Sequence, residues 1–191
     1  MKLKDGIKTL SARSRKHWRE WLQKNHQSEK SVWLIIYKKE SRVASVYYPE
    51  AVEEALCFGW IDSKANKRDD KSHFQFFAKR NPKSNWSRIN KARVEKLVAE
   101  NRMAPAGLAM VETAKQNGCW TALDDVENLI IPEDLQKAFD KNKKAFQYWN
   151  GFSNSARKSI LGWISSAKTA ETRRKRIRET VLLAKDNLKA N

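Results

Sequence analysis

The stretch LCFGWIDSKANKRDDKSHFQFFAKRNPKSNWSRIN, residues 56–90, decides the fold class. It opens at the end of a helix. Upstream, Pro49 suits a first helical turn and Glu50 sits near its positive end, so PEAVEEALCFG reads as a helix with Val52, Ala55, Leu56 and Gly59 as its inner stripe. Glu50, Glu53, Glu54 and Cys57 fall on the other side, and Gly59 closes the helix because a left-handed end costs least as glycine. The pattern then alternates: Trp60, Asp62 and Lys64 point one way, Ile61, Ser63 and Ala65 the other, as in a strand. ANKRDDKSH is a polar connector, HFQFFAK a further strand, and RNPKSN a loop, since Pro82 resists both helix and ladder.

Working outward, SVWLIIYKK (residues 31–39) is a β-branched and aromatic run that reads as a buried strand. The three runs predict an α+β fold: a small antiparallel or mixed three-stranded sheet packed with helices, followed by an all-helical C-terminal module. Ser11 is expected to cap a first helix through Asn25, with Trp18, Trp21 and Leu22 on one face. Beyond Ser84 the chain reads as helical. Ser84 or Asn85 starts a helix to Asn101, Pro105 one that ends at Gly118, Pro132 another, Ser153 or Asn154 the next, and Thr169 the last. That last helix has the seam Ala170, Ile177, Val181, Ala184 and Leu188. The irregular acidic link 119–131 marks the boundary, so residues 1–125 form the α+β domain and residues 126–191 the helical module.

A net charge of +17 and a pI near 10.0 favour anionic partners, either a small anionic ligand or non-specific nucleic acid. Residues 64–96 carry eleven Lys/Arg against three Asp/Glu, and KTAETRRKRIR (168–178) six against one, so the charge is concentrated twice. MKLKDGIKTL lacks the apolar core of a signal peptide, and no run approaches a transmembrane span. Two distant cysteines, Cys57 and Cys119, fit a reducing, cytoplasmic setting.

Nucleotide-loop, dinucleotide and metalloprotease signatures are missing, and His17, His26 and His73 are too scattered to suggest a metal. No cofactor is predicted and no residue is assigned a catalytic role. Cys57 reads as structural, because neighbouring carboxylates disfavour its thiolate. The chemistry concentrates elsewhere. Trp60 and Trp86 supply faces, Lys64, Arg80 and Lys83 charge, and Asp62, Ser84, Ser87 and Asn90 short polar groups for orienting an anion. The helix start near Ser84–Ser87 adds backbone N–H groups. These nine residues are the expected ligand site.

Ala51-Val52-Glu53-Glu54-Ala55-Leu56-Cys57-Phe58-Gly59-Trp60-Ile61-Asp62-Ser63 resembles the YdeI/OmpD-associated family, as do Lys79-Arg80-Asn81-Pro82-Lys83-Ser84-Asn85-Trp86-Ser87, Asn90 and Arg93-Val94-Glu95. Arg157, Trp163-Ile164, Ala167-Lys168, Glu171-Thr172-Arg173 and Arg176-Ile177 look like that family's helical bacteriocin-protection module. The likeness covers roughly residues 15–185, with Asn101 standing where glycine is expected. It implies a YdhG-like N-terminal α+β domain and protection against bacteriocins or other antimicrobial peptides. It carries over no catalytic residue. Three functions stay open: a protection factor holding a small anionic ligand, a nucleic-acid binder using the basic surface, and a hydrolase or transferase with Asp62 or Glu54 as base beside Arg80.

Overall fold

The computed structural model describes residues 3–190, and the chain divides into two compact units, residues 1–121 and 122–191. The first unit runs β1 (Leu3–Lys4), β2 (Ile7–Ser11), α1 (Arg15–Asn25), β3 (Ser31–Tyr37), α2 (Tyr48–Cys57), β4 (Trp60–Lys67), β5 (Ser72–Lys79), α3 (Arg88–Ala99) and α4 (Pro105–Gln116). Among the described residues its strands form one mixed sheet in the order β1-β2-β3-β5-β4.

The class is α+β, but the sheet has five strands and not the three expected. The two extra strands lie in MKLKDGIKTLS. Asp5 and Gly6 both take positive φ (51° and 73°), the geometry that joins β1 and β2 in a tight antiparallel hairpin. From β2 the chain crosses through α1 and returns as β3 in parallel pairing, Thr9 opposite Trp33 and Ser11 opposite Ile35. Strands this short, each with a lysine, carry little hydrophobic pattern, and only the Asp-Gly pair announces them. Because Ser11 ends β2, the cap of α1 moves to Ser14, whose Oγ accepts the His17 N–H at 3.2 Å.

Val32, Leu34 and Ile36 of β3 and Phe77 of β5 face the helices, packing in one core with Trp18 and Leu22 of α1 and Val52, Ala55 and Leu56 of α2. Trp33, paired with Phe76, and Ile35, paired with Phe74, point to the opposite face. A bulge between Asp62 and Ala65 breaks the alternation of β4. Asp62 pairs with Phe77 on the helix side, whereas Lys64 lies across Trp33 and Phe76 on the other. The expected common face of Trp60, Asp62 and Lys64 is therefore divided between two sides of the sheet.

Helix α2 ends at Gly59 (φ 72°), as its sequence predicts. Asn101, at the expected glycine position, holds φ 53° after α3, a conformation asparagine tolerates better than most residues. Helix α4 then crosses the end of α2 so closely that a Cβ on Gly107 would stand 2.3 Å from the Cys57 carbonyl oxygen.

The second unit contains α5 (Asp124–Glu127), α6 (Glu133–Asp140), α7 (Lys143–Gly151), α8 (Asn154–Ser165) and α9 (Ala170–Lys185) around Leu135, Phe139, Trp149, Ile160, Ile164 and Ile177. Ser153 and Thr169 cap α8 and α9 as expected. The single helix read between Pro132 and Ser153 is two, because the Asn142 side chain accepts the Ala145 N–H (3.1 Å) and starts α7 afresh. In α9 the seam holds at Ile177 and Ala184, but Leu188 lies past the helix end and is exposed, and Thr180 is buried in the stripe. No described helix is long and apolar enough to cross a membrane.

Candidate ligand-binding groove

Glu54 organises the helix layer of the first unit. It lies on the side of α2 away from the Val52–Leu56 stripe, yet it is fully buried, because α1 and the link after α3 lie over that side and bring three guanidinium groups to it. Arg15 Nε donates to Oε1 and Arg19 Nη1 to Oε2, both at 2.6 Å, and Arg102 Nη2 closes on Oε1. Arg15 Nη2 also donates to Glu53 (2.6 Å). Burying a carboxylate is tolerable only with such pairing. Cys57 lies beside this network and is completely buried. Burial pushes its thiol up, the Glu54 carboxylate adds to that, and Arg19 and Arg102 only partly oppose, so the thiol is held protonated.

Arg19 links this network to a groove. Its Nη2 donates to the Arg102 carbonyl (2.7 Å), and the guanidinium carbon lies 5.3 Å from the centre of the Phe58 ring. From there two adjoining hollows, about 310 and 380 Å³, run between the end of α1, the Phe58–Gly59 reversal and the start of α4. Both are lined by His26, Gln27, Phe58 and Ala106; the first adds Arg19 and Gln23, the second Trp60, Lys79 and Met110. Local bonds fix these walls. The His26 ring donates from Nδ1 to the Leu22 carbonyl (2.9 Å) and sits 5.1 Å from Phe58. Trp60 Nε1 donates to the His26 carbonyl (3.3 Å), and Lys79 Nζ to the Gln27 carbonyl (2.6 Å). Helix α4 enters without a side-chain cap, so the positive end of its dipole is at the groove. None of the residues lining the two hollows is acidic.

The nine sequence-derived residues are distributed as follows. Trp60 lines the groove, edge-on to Trp21. Arg80 is only 5% exposed and stacks on Trp86, its guanidinium 3.8 Å from the ring centre. It donates to the Asn85 carbonyl (2.5 Å), no described carboxylate pairs with it, and its Nε is unpartnered; burial pulls it down to about 10. Its backbone N–H donates to Gly59 O (2.9 Å), at the groove floor. Asp62 accepts from the Tyr48 hydroxyl (2.7 Å), which burial and that carboxylate push up to about 12. Asn90 accepts from Arg93 (2.9 Å), and Ser87, in place of Ser84, caps α3. Ser84 donates to the Asn81 carbonyl (2.7 Å), Lys83 is exposed, and Lys64 lies on the far side of the sheet. The structure thus links Trp60 and Arg80 through Gly59 and joins Arg80 to Trp86. Arg19, His26 and Lys79 lie outside that set: Arg19 and His26 share one face at the end of α1 with Gln23 between them, a helical spacing the sequence does carry, whereas Lys79 comes from the end of β5 and has no spacing in common with them.

Comparison with known proteins supplies the family. Residues 10–110, more than half of the chain, match the family model described as Domain of unknown function (DUF8412). The chain belongs to the DUF8412 family. Every residue lining the groove lies within the matched residues, and the match is not specifically to the YdhG-like type that the resemblance implied. Residues 128–187 match a second family model, Bacteriocin-protection, YdeI or OmpD-Associated, which supports the resemblance over the C-terminal module. No curated protein and no solved structure matches the chain.

Proposed function

We propose that the DUF8412 unit holds a small anionic ligand in the groove between α1, Phe58–Gly59 and α4, in the service of a protective role of the kind named for the family matched by residues 128–187. The carrying observation is the lining: Arg19 and Lys79 beside the start of a helix, with no carboxylate among the lining residues. Phe58 and Trp60 add apolar walls, the usual company of a few convergent polar groups in a small-molecule site. In this reading Trp60 and Arg80 are the members of the expected set that matter most, the first as a wall and the second as a buried positive charge behind Gly59.

A panel of phosphorylated and carboxylate metabolites tested by thermal shift examines this directly. A true ligand at a hundredfold excess over its Kd stabilises the fold by about 2.7 kcal/mol. Lys79→Glu, on an exposed side chain, should abolish the shift and leave the midpoint of the free protein within about 0.5 kcal/mol. If no compound shifts the protein, or Lys79→Glu responds like the parent, the groove is not an anion site.

A further inference from the structure

The face of the sheet turned away from α1 and α2 carries a different chemistry. Trp33, Phe74 and Phe76 form one aromatic patch, with ring centres 6.1 Å (Trp33–Phe74) and 4.9 Å (Trp33–Phe76) apart. Three cations lie over it. Lys4 Nζ stands 5.1 Å from the Trp33 ring centre and 5.4 Å from Phe74; Lys64 Nζ stands 5.5 Å from Trp33 and 5.7 Å from Phe76. Arg68 lies 5.6 Å from Tyr37 and 6.0 Å from Phe74. Beneath them Trp33 is 1% exposed, and its indole Nε1–H is a buried donor with no acceptor among the described residues. A buried N–H without a partner is unusual enough to require a reason.

We propose that this face binds single-stranded nucleic acid, with bases stacking on Phe74 and Phe76, phosphates taken by Lys4, Lys64 and Arg68, and the Trp33 N–H supplied with an acceptor from the strand. The Lys4 and Lys64 ammonium groups are held weakly over the rings, with the surface neighbour Asp5 beside Lys4, whereas Arg68 is anchored at the edge of the patch by Asp69 and by donating to the Tyr37 hydroxyl and Ser72 Oγ, both at 3.1 Å. An incoming phosphodiester can therefore draw the two lysines off the rings and leave flat faces for bases, with Arg68 already fixed as a phosphate donor at the edge. Aromatic residues interleaved with cations on a sheet suit a single strand, whose bases are free to stack, better than a duplex. This site is separate from the groove, and either can fail without the other.

The test uses the full chain and fluorescence anisotropy at near-physiological salt, with a labelled fifteen-nucleotide oligothymidylate as probe. Duplex DNA of the same length and heparin, a polyanion without bases, are the competitors. The expected result is preference for the single strand, with Phe76→Leu and Phe74→Leu together weakening it about tenfold or more while heparin affinity stays unchanged. Leucine keeps the apolar volume, and near-ultraviolet circular dichroism reports whether the sheet survives. If the double variant does not fold, Lys64→Ala decides, since it should lower the slope of log K against log salt by about 0.7. Equal affinity for all three polyanions overturns the proposal, as does a folded Phe74/Phe76 variant that binds the oligonucleotide like the parent. So does a loss on Arg174→Ala/Lys175→Ala in α9 that matches the loss at the sheet.

Discussion

Glu54 has no access to water and three guanidinium groups around it, so its removal leaves positive charge facing positive charge at the centre of the helix layer. Glu54→Gln should destabilise the protein by about 3 kcal/mol, the lower end for a broken buried pair because the arginines are themselves 26–33% exposed. A urea midpoint that does not move would show that solvent already screens the cluster. His73 on β5 makes a pH prediction. Burial, then the charge of Lys38, holds its imidazole below the usual histidine range. The unfolded chain therefore binds a proton at higher pH than the fold does, and stability that is complete above about pH 6.5 declines as pH falls through the folded value. Urea titrations at successive pH values should show that decline, and His73→Gln should flatten it. Glu54 itself illustrates what residue patterning misses. The helical period puts it opposite Val52 and Leu56, but whether that side meets water or arginine depends on where two distant segments lie.

At the scale of elements, the groove exists because α4 can approach α2 to within backbone contact. Gly107 makes that possible, with the Cys57 carbonyl where a side chain would begin. The same crossing lets the Ala104 N–H donate to Cys57 O at 3.0 Å. Gly107→Ala should cost about 1–3 kcal/mol as the helix is forced outward. It should also weaken the groove's ligand more than Lys64→Ala does, which thermal shift can compare. An unchanged melting curve would mean the helix moves freely. Gly107 lies in an ordinary helical run, so nothing local marks it. Gly59 was legible because its left-handed turn is a local requirement. The hairpin was legible in principle from Asp5-Gly6, but its short strands, each with a lysine, carry little hydrophobic pattern. The bulge in β4, which sends Lys64 to the other face, has no marker in the residues that flank it.

For the whole molecule, each unit has its own buried cluster, one around Trp18, Leu56 and Phe77 and one around Leu135, Phe139 and Trp149. We expect the units to unfold separately. Trp149→Ala, which empties a fully buried site, should destabilise residues 122–191 by about 3–5 kcal/mol and leave the unfolding of residues 1–121 in place. Hydrogen exchange resolves the two: a uniform loss of protection across the chain would show one cooperative body instead. By itself the sequence determined the α+β class, the helical tail, the caps at Ser153 and Thr169, the Gly59 helix end and the likeness carried by the C-terminal segment, because those depend on period, capping chemistry and short motifs read within a few turns of chain. Only the tertiary structure decided the strand order, the burial of Glu54, the division of Trp60 from Lys64, and the meeting of Arg19 and His26 with Lys79. Those side chains come from elements tens of residues apart, and their proximity follows from packing, which no local pattern encodes.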